Sequence, residues 1–271
     1  MSLDLDPHRA RLLERVLPAY EQLGTLAFAY WQGSLVSGYT DQSDLDVILV
    51  WDTPDAPTGR EGVVATLDEE GRQPPFVVDY MDVHLDRFVM AQQEYNVGHW
   101  SLPASRDAVQ TVLTGRERPG PGVLHALTAV SGFWSGQLLF DPAQEGVALH
   151  RALRAFPLVL QEQSIHVVRN HRAAYLADVR KFAERRDWFM FHSVLVTAVR
   201  ASLQALFAAH RVYYPGDKWL REAIRKHGLG QGTLAAFDGV WDLRAPATER
   251  IASLTQLLDL ALDSGAPTAS R

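Results

Sequence analysis

Cysteine is absent from the whole 271-residue chain. That absence excludes disulfides, thiolate-bound zinc and a cysteine nucleophile. A basic excess is lacking too: 26 Lys and Arg stand against 32 Asp and Glu, a formal net charge of −6. Proteins that live on nucleic acid neutralise phosphates with a positive surface, so this balance argues against a nucleic-acid partner. The opening MSLDLDPHRARLLERVL has no apolar signal-peptide core, and no run of about 18 apolar residues marks a membrane span. The expectation is a cytoplasmic protein with no membrane partner. Internal repeats and low-complexity tracts are also missing. His84, His99, His166 and His171 show no zinc-ligand spacing.

What is present is an ordinary globular composition, 47% hydrophobic and 21% charged, enough to bury a sizeable core. Asp6-Pro7 opens a helix whose apolar positions, Leu12 to Leu23, recur at helical spacing; Pro18 should kink it and Gly24 stop it. TLAFAYWQ at 25 to 32 and LDVILVW at 45 to 51 read as buried strands either side of the turn-rich GSLVSGYTDQS. FVVDYMDVHL at 76 to 85 reads as a third strand, Asp86 as the cap of a helix towards Tyr95, and QLLF at 137 to 140 as a last short strand. From about residue 157 the pattern turns helical: 158 to 184, 187 to 210, 217 to 227 and 247 to 263. The expected architecture is α+β, a small mixed sheet flanked by helices over 1–156. An all-α bundle over 157–265 and a flexible tail over 266–271 follow.

Chemistry concentrates between the first two strands. Side chains two apart on a strand share a face, so Asp44 and Asp46 project side by side. Paired carboxylates repel unless a cation lies between them, and Mg²⁺ favours a few carboxylates plus substrate phosphates. Upstream, Gly33 lets backbone approach a phosphate, and Ser34 offers a hydroxyl. Each feature alone is a common surface pair or turn. In this order, between two apolar strands, they point to a phosphate-and-metal site.

GSLVSGYTDQSDLDVILVW resembles the signature of the polymerase-β-type nucleotidyltransferase superfamily: Gly-Ser, a spacer, then Asp-x-Asp leading into an apolar strand. The resemblance implies transfer of a nucleoside monophosphate from a nucleoside triphosphate, ATP by preference, to an acceptor, with release of pyrophosphate. It implies Asp44 and Asp46 as metal ligands and Gly33, Ser34 and Ser43 around the nucleotide. It also implies a third carboxylate on a later strand, for which FVVDYMDVHL offers Asp79 or Asp82. The expectation favours Asp79, an acid between apolar residues that precedes a Leu and a loop.

A helical half after such a domain resembles the antibiotic-modifying members of the superfamily, the aminoglycoside nucleotidyltransferases of the kanamycin type. That resemblance implies a small-molecule hydroxyl acceptor, an aminoglycoside-like antibiotic for instance, and by analogy a homodimer. HRVYYPGDKWLREAI resembles a segment of those helical domains, with Lys218 as a partner for phosphate charge; Tyr213, Tyr214 and Trp219 are read as core fillers. Glu162 is named as a candidate general base, although a solvated helix face is the better account of it. Two alternatives remain. One keeps the chemistry but targets a protein or tRNA, as in toxin–antitoxin pairs; the spacing of Arg186 and His192 superficially resembles that of helical ribonuclease toxins. The other is a nucleotide-binding module without catalysis.

Overall fold

The computed structural model describes residues 6–40, 43–80, 83–116 and 126–264. Asp82 and the expected 266–271 tail lie outside the described residues. The chain divides into two compact units, Met1–Gln110 with Gly132–Ala155 and Thr111–Ser131 with Phe156–Arg271.

In chain order the first half runs α1 (Asp6–Arg11), a π-helical stretch (Leu12–Val16), α2 (Leu17–Glu21), β1 (Leu26–Gln32), α3 (Gly33–Val36), β2 (Leu45–Trp51), α4 (Arg60–Leu67), β3 (Phe76–Tyr80), β4 (Val83–Met90), β5 (Gln93–Ser101) and α5 (Leu102–Leu113). Next come α6 (Ala126–Ser135), β6 (Gln137–Phe140) and α7 (Glu145–Leu153). The kink expected at Pro18 takes the form of the π stretch just before it. Proline has no N–H and its ring displaces the carbonyl four residues back, so the hydrogen-bond ladder widens.

Among the described residues, six strands form one sheet in the order β3-β4-β5-β2-β1-β6. Every neighbouring pair is antiparallel except β2 and β5, which are parallel, so the sheet is mixed. Leu12, Val16 and Tyr20 from the N-terminal helices and Val64 and Leu67 from α4 are buried in one cluster with Leu45, Val47, Leu49, Phe88, Tyr95 and Val97 of the sheet. The side chains that alternate with these point to the opposite face, where Asp46 and Asn96 lie.

Two local expectations are corrected. Residues 76–85 are not one strand but the two arms of a hairpin, β3 and β4. The helix expected after Asp86 is instead strand, β4 followed by β5, joined where Ala91 (φ 51°) and Gln92 (φ 63°) both adopt left-handed backbone, the requirement of a tight hairpin. Asp86, Phe88 and Met90 are buried at every second position, a period of two that the charged residues among them disguised.

The second half consists of α8 (Leu158–Glu184), α9 (Trp188–Ala209), α10 (Leu220–Lys226), α11 (Gln231–Trp241) and α12 (Ala247–Ser264), with α8, α9 and α12 packed on one another. α11 was hidden from sequence reading by the turn-like GLGQGT. Gly230 (φ 93°) ends the turn, and Thr233, Ala236 and Val240 are buried at helical spacing beyond it. α9 is long and apolar enough to cross a bilayer by length and composition. Its Phe191, Leu195, Leu203 and Phe207 are buried within the helical unit, as in the core helix of a bundle. The fold is thus α+β: a mixed sheet with flanking helices, followed by a helical region.

Candidate active site

β1 ends at Gln32, which pairs with Asp46 on β2, so the residue after Gln32 is delivered beside that aspartate. Gly33 stands there with φ +91°. A Cβ at this position would lie well inside contact distance of Asp46 Oδ2 and 3.1 Å from its Cγ. Only glycine accepts both the left-handed backbone and that proximity. The turn is then closed by backbone bonds, Ser37 N to Gly33 O at 2.9 Å and Tyr39 N to Ser34 O at 2.8 Å, which bury Ser34 and Ser37.

Asp44 precedes β2 and Asp46 lies within it. Their carboxylates share one neighbour, the side-chain amide of Asn96 on β5. Its Nδ2 donates to Asp44 Oδ2 in a short contact and to Asp46 Oδ1 at 3.3 Å. The parallel ladder explains this, because Asp46 and Asn96 are register partners. Ser43 donates its hydroxyl to Asp44 Oδ1 at 2.6 Å, and Gln93 Nε2 donates to Ser43 O at 2.9 Å, tying the approach to β2 onto β5. On the far side of Asn96, Arg87 Nε donates to its Oδ1 at 2.9 Å, and the guanidinium lies 4.8 Å from the centre of the Phe76 ring. The structure therefore brings together Gly33, Ser34, Ser43, Asp44 and Asp46, all five named from sequence. Asn96 and Arg87 are added to them.

Asp79 is not among them. It sits on β3, the edge strand, with β4 and β5 between it and β2. Its carboxylate is engaged by Arg60 at 2.7 Å and by His84 at 2.6 Å, and the His84 hydrogen bond, helped by Arg60, holds it below the usual carboxylate range. The place expected for a third acid beside the pair is held by Asn96. Its signal in the sequence is an isolated polar residue between Tyr95 and Val97, masked by the charged residues that make 86–95 resemble a capped helix. Among the described residues, no three His, Asp or Glu side chains converge on a point where a metal ion would fit.

Behind the site, on the buried face of the sheet, lies a second polar group. Asp86, fully buried, accepts from Tyr20 Oη at 2.7 Å, Arg60 Nε at 3.0 Å and His99 Nε2 at 2.8 Å. Trp51 Nε1 donates to His99 Nδ1 at 3.2 Å, and a tryptophan can only donate, so His99 is neutral and protonated on Nε2. Burial, the largest influence, lowers the His99 pKa against the opposing pull of Asp86, in agreement with a neutral ring. These groups satisfy one another and form a structural support for β2, β4 and β5.

The helical unit carries the remaining sequence candidates. Glu162 on α8 and Lys218 before α10 are both exposed. Tyr213 and Tyr214 are buried, as core fillers should be, whereas Trp219 is 40% exposed. Tyr214 Oη donates to Asp217 at 2.8 Å, and Arg200 forms a close two-pronged pair with the same carboxylate. That pair borders a cavity of about 290 Å³ whose apolar lining includes Val199, Leu220, Phe237 and Trp241.

Residues 125–220 match a family described as a domain of unknown function, DUF4037. No curated protein matches the chain. Among solved structures, the chain is similar to a nucleotidyltransferase-like protein from Exiguobacterium sibiricum 255-15. The identity is 11% and the TM-score 0.47, over 95% of this chain and 75% of that one.

Proposed function

We propose that this chain binds a nucleoside triphosphate with Mg²⁺ and transfers the nucleoside monophosphate to a hydroxyl of a small molecule. The observation that carries the reading is the Asp44–Asp46 pair, held on one face of β2 and pressed against the left-handed Gly33 that leads into buried Ser34. The donor chemistry fits a hard divalent ion, which commonly takes one or two protein carboxylates and completes its shell with water and phosphate oxygens. Asp44 and Asp46 would be its ligands, and Ser43 would orient Asp44. Bound there, Mg²⁺ would offset the triphosphate's charge and polarise the α-phosphoryl group.

The chain's own contribution is placement. The absence of a side chain at Gly33 lets the turn close against the Asp46 carboxylate, so a phosphate held by that turn would lie beside the metal ligand. In the reaction the acceptor oxygen bonds to the α-phosphorus and the bond to the β-bridging oxygen breaks. Pyrophosphate leaves with that electron pair, and the hydroxyl proton passes to a base. An aminoglycoside-like polyol is the first acceptor to try, because a cationic ligand suits a chain of net charge −6.

The decisive experiment measures Mg²⁺-dependent pyrophosphate release from the four nucleoside triphosphates against a panel of hydroxyl acceptors, with Asp46→Asn in parallel. Release that is equal in the variant would end the mechanism. A second reading, nucleotide binding without transfer, is favoured by one observation: an uncharged amide occupies the place expected for a third acid. Saturable triphosphate binding with no pyrophosphate release across the panel would establish it.

A further inference from the structure

Asp46, Asn96 and Arg87 lie in one row across three hydrogen-bonded strands, Asp46 paired with Asn96 and Asn96 with Arg87. Paired residues on neighbouring strands project from the same face, so these three side chains are consecutive neighbours on it. The order of charge along the row is negative, neutral, positive.

The neutral member is fixed in orientation. Arginine has donors only, so the Asn96 atom that meets Arg87 Nε at 2.9 Å must be its oxygen. The NH₂ end consequently faces the aspartates and donates to both. Turning the amide over to offer its oxygen to a metal would break the Arg87 bond and bring N–H against N–H. Asn96 is also buried, which leaves little space for another rotamer.

A two-cation site needs anionic ligands on both sides of the ions to offset their charge. Here the protein supplies carboxylates on one side only, Asp44 and Asp46, and amide hydrogens of Asn96 on the other. A second ion beside Asn96 would meet amide hydrogens and, beyond them, the Arg87 guanidinium, which repels it. Among the described residues no third carboxylate or imidazole joins the pair. We infer that Asn96 limits this site to one divalent cation per bound nucleotide. The inference rests on the nucleotide reading above and specifies its metal content.

The test counts ions rather than turnover. Mn²⁺ is titrated into the full chain saturated with an ATP analogue carrying a methylene bridge between the α and β phosphorus atoms, and bound metal is read by electron paramagnetic resonance. The expected count is one per chain for the natural sequence. In Asn96→Asp the expected count is two, and the metal-free variant should melt at a lower temperature than the natural chain, with the loss reversed by Mn²⁺. Asn96→Ser, which removes the amide without adding charge, should stay at one. Two ions on the natural chain would overturn the inference while leaving nucleotide binding intact. So would a folded, analogue-binding Asn96→Asp that still holds one. Should Asn96→Asp fail to fold, the counts for the natural chain and Asn96→Ser decide. No Mn²⁺-dependent binding of the analogue to the natural chain would overturn the nucleotide reading itself, and this inference with it.

Discussion

Gly33 and Asp46 occupy adjacent places at the ends of two paired strands, and a single added carbon on Gly33 would strike the Asp46 carboxylate. The relation couples phosphate turn and metal ligand mechanically, because neither can shift without the other. Gly33→Ala should therefore lose stability by about 1–3 kcal/mol from its left-handed backbone alone. It should also weaken Mg²⁺-dependent triphosphate binding by displacing Asp46. Urea unfolding and nucleotide titration check the two effects separately. Binding unchanged in the folded variant would contradict the coupling.

Ser43 tests the support of the metal ligands. Its hydroxyl orients Asp44, and removing a hydrogen bond to a metal-binding carboxylate typically weakens metal affinity by about 10–100-fold. Ser43→Ala should raise the Mg²⁺ concentration needed for half-maximal nucleotide binding by about tenfold at unchanged melting temperature. Ser43→Thr, which keeps the hydroxyl, should recover most of the difference.

Arg60 and Asp86 form a buried ion pair at 3.0 Å beneath the sheet. Removing one partner leaves the other charge without its counter-ion in the interior, which costs about 3–5 kcal/mol. Arg60→Met should destabilise the chain by that order, and adding Asp86→Asn should restore part of the loss. If the double variant in a denaturant series is no more stable than the additive sum of the singles, the pair is not coupled.

Stability should fall as the solution is acidified from about pH 8 to about pH 5. Burial holds the His99 pKa below its ordinary 6.5, so below that value the unfolded chain takes up a proton that the folded chain refuses. The contribution is complete above the unfolded pKa and diminishes as pH drops through it. His227, lowered by burial and by Lys226, acts in the same direction. Asp79 adds a further loss at lower pH: held below 3.8 by His84 and Arg60, it stabilises the fold above that value and ceases to as pH passes its folded pKa. The check is the urea midpoint as a function of pH, where a flat or rising midpoint on acidification would refute the assignment.

Much of the architecture could be read from residue order. Leu45–Trp51 and Leu158–Glu184 fall where periodicity puts them, since a continuous apolar run of strand length and a long 3.6-residue repeat are unambiguous local patterns. The reading failed where a strand carried charge on its buried face. Asp86 in β4 suggests a helix cap because an isolated carboxylate does that, yet Tyr20, Arg60 and His99, distant in sequence, make it a stable core group.

The candidate site divides in the same way. The sequence by itself picked out Gly33, Ser34, Ser43, Asp44 and Asp46 as candidates, because these lie along the single connection from β1 into β2 and their proximity follows from local spacing. Only the tertiary structure decided what stands beside them. Strand order placed β5, not β3, against β2, so the neighbour of the aspartates is the Asn96 amide and Asp79 belongs to Arg60 and His84. Strand neighbours are chosen by burial across the whole sheet, through contacts between residues far apart in the chain, and no local pattern encodes that choice.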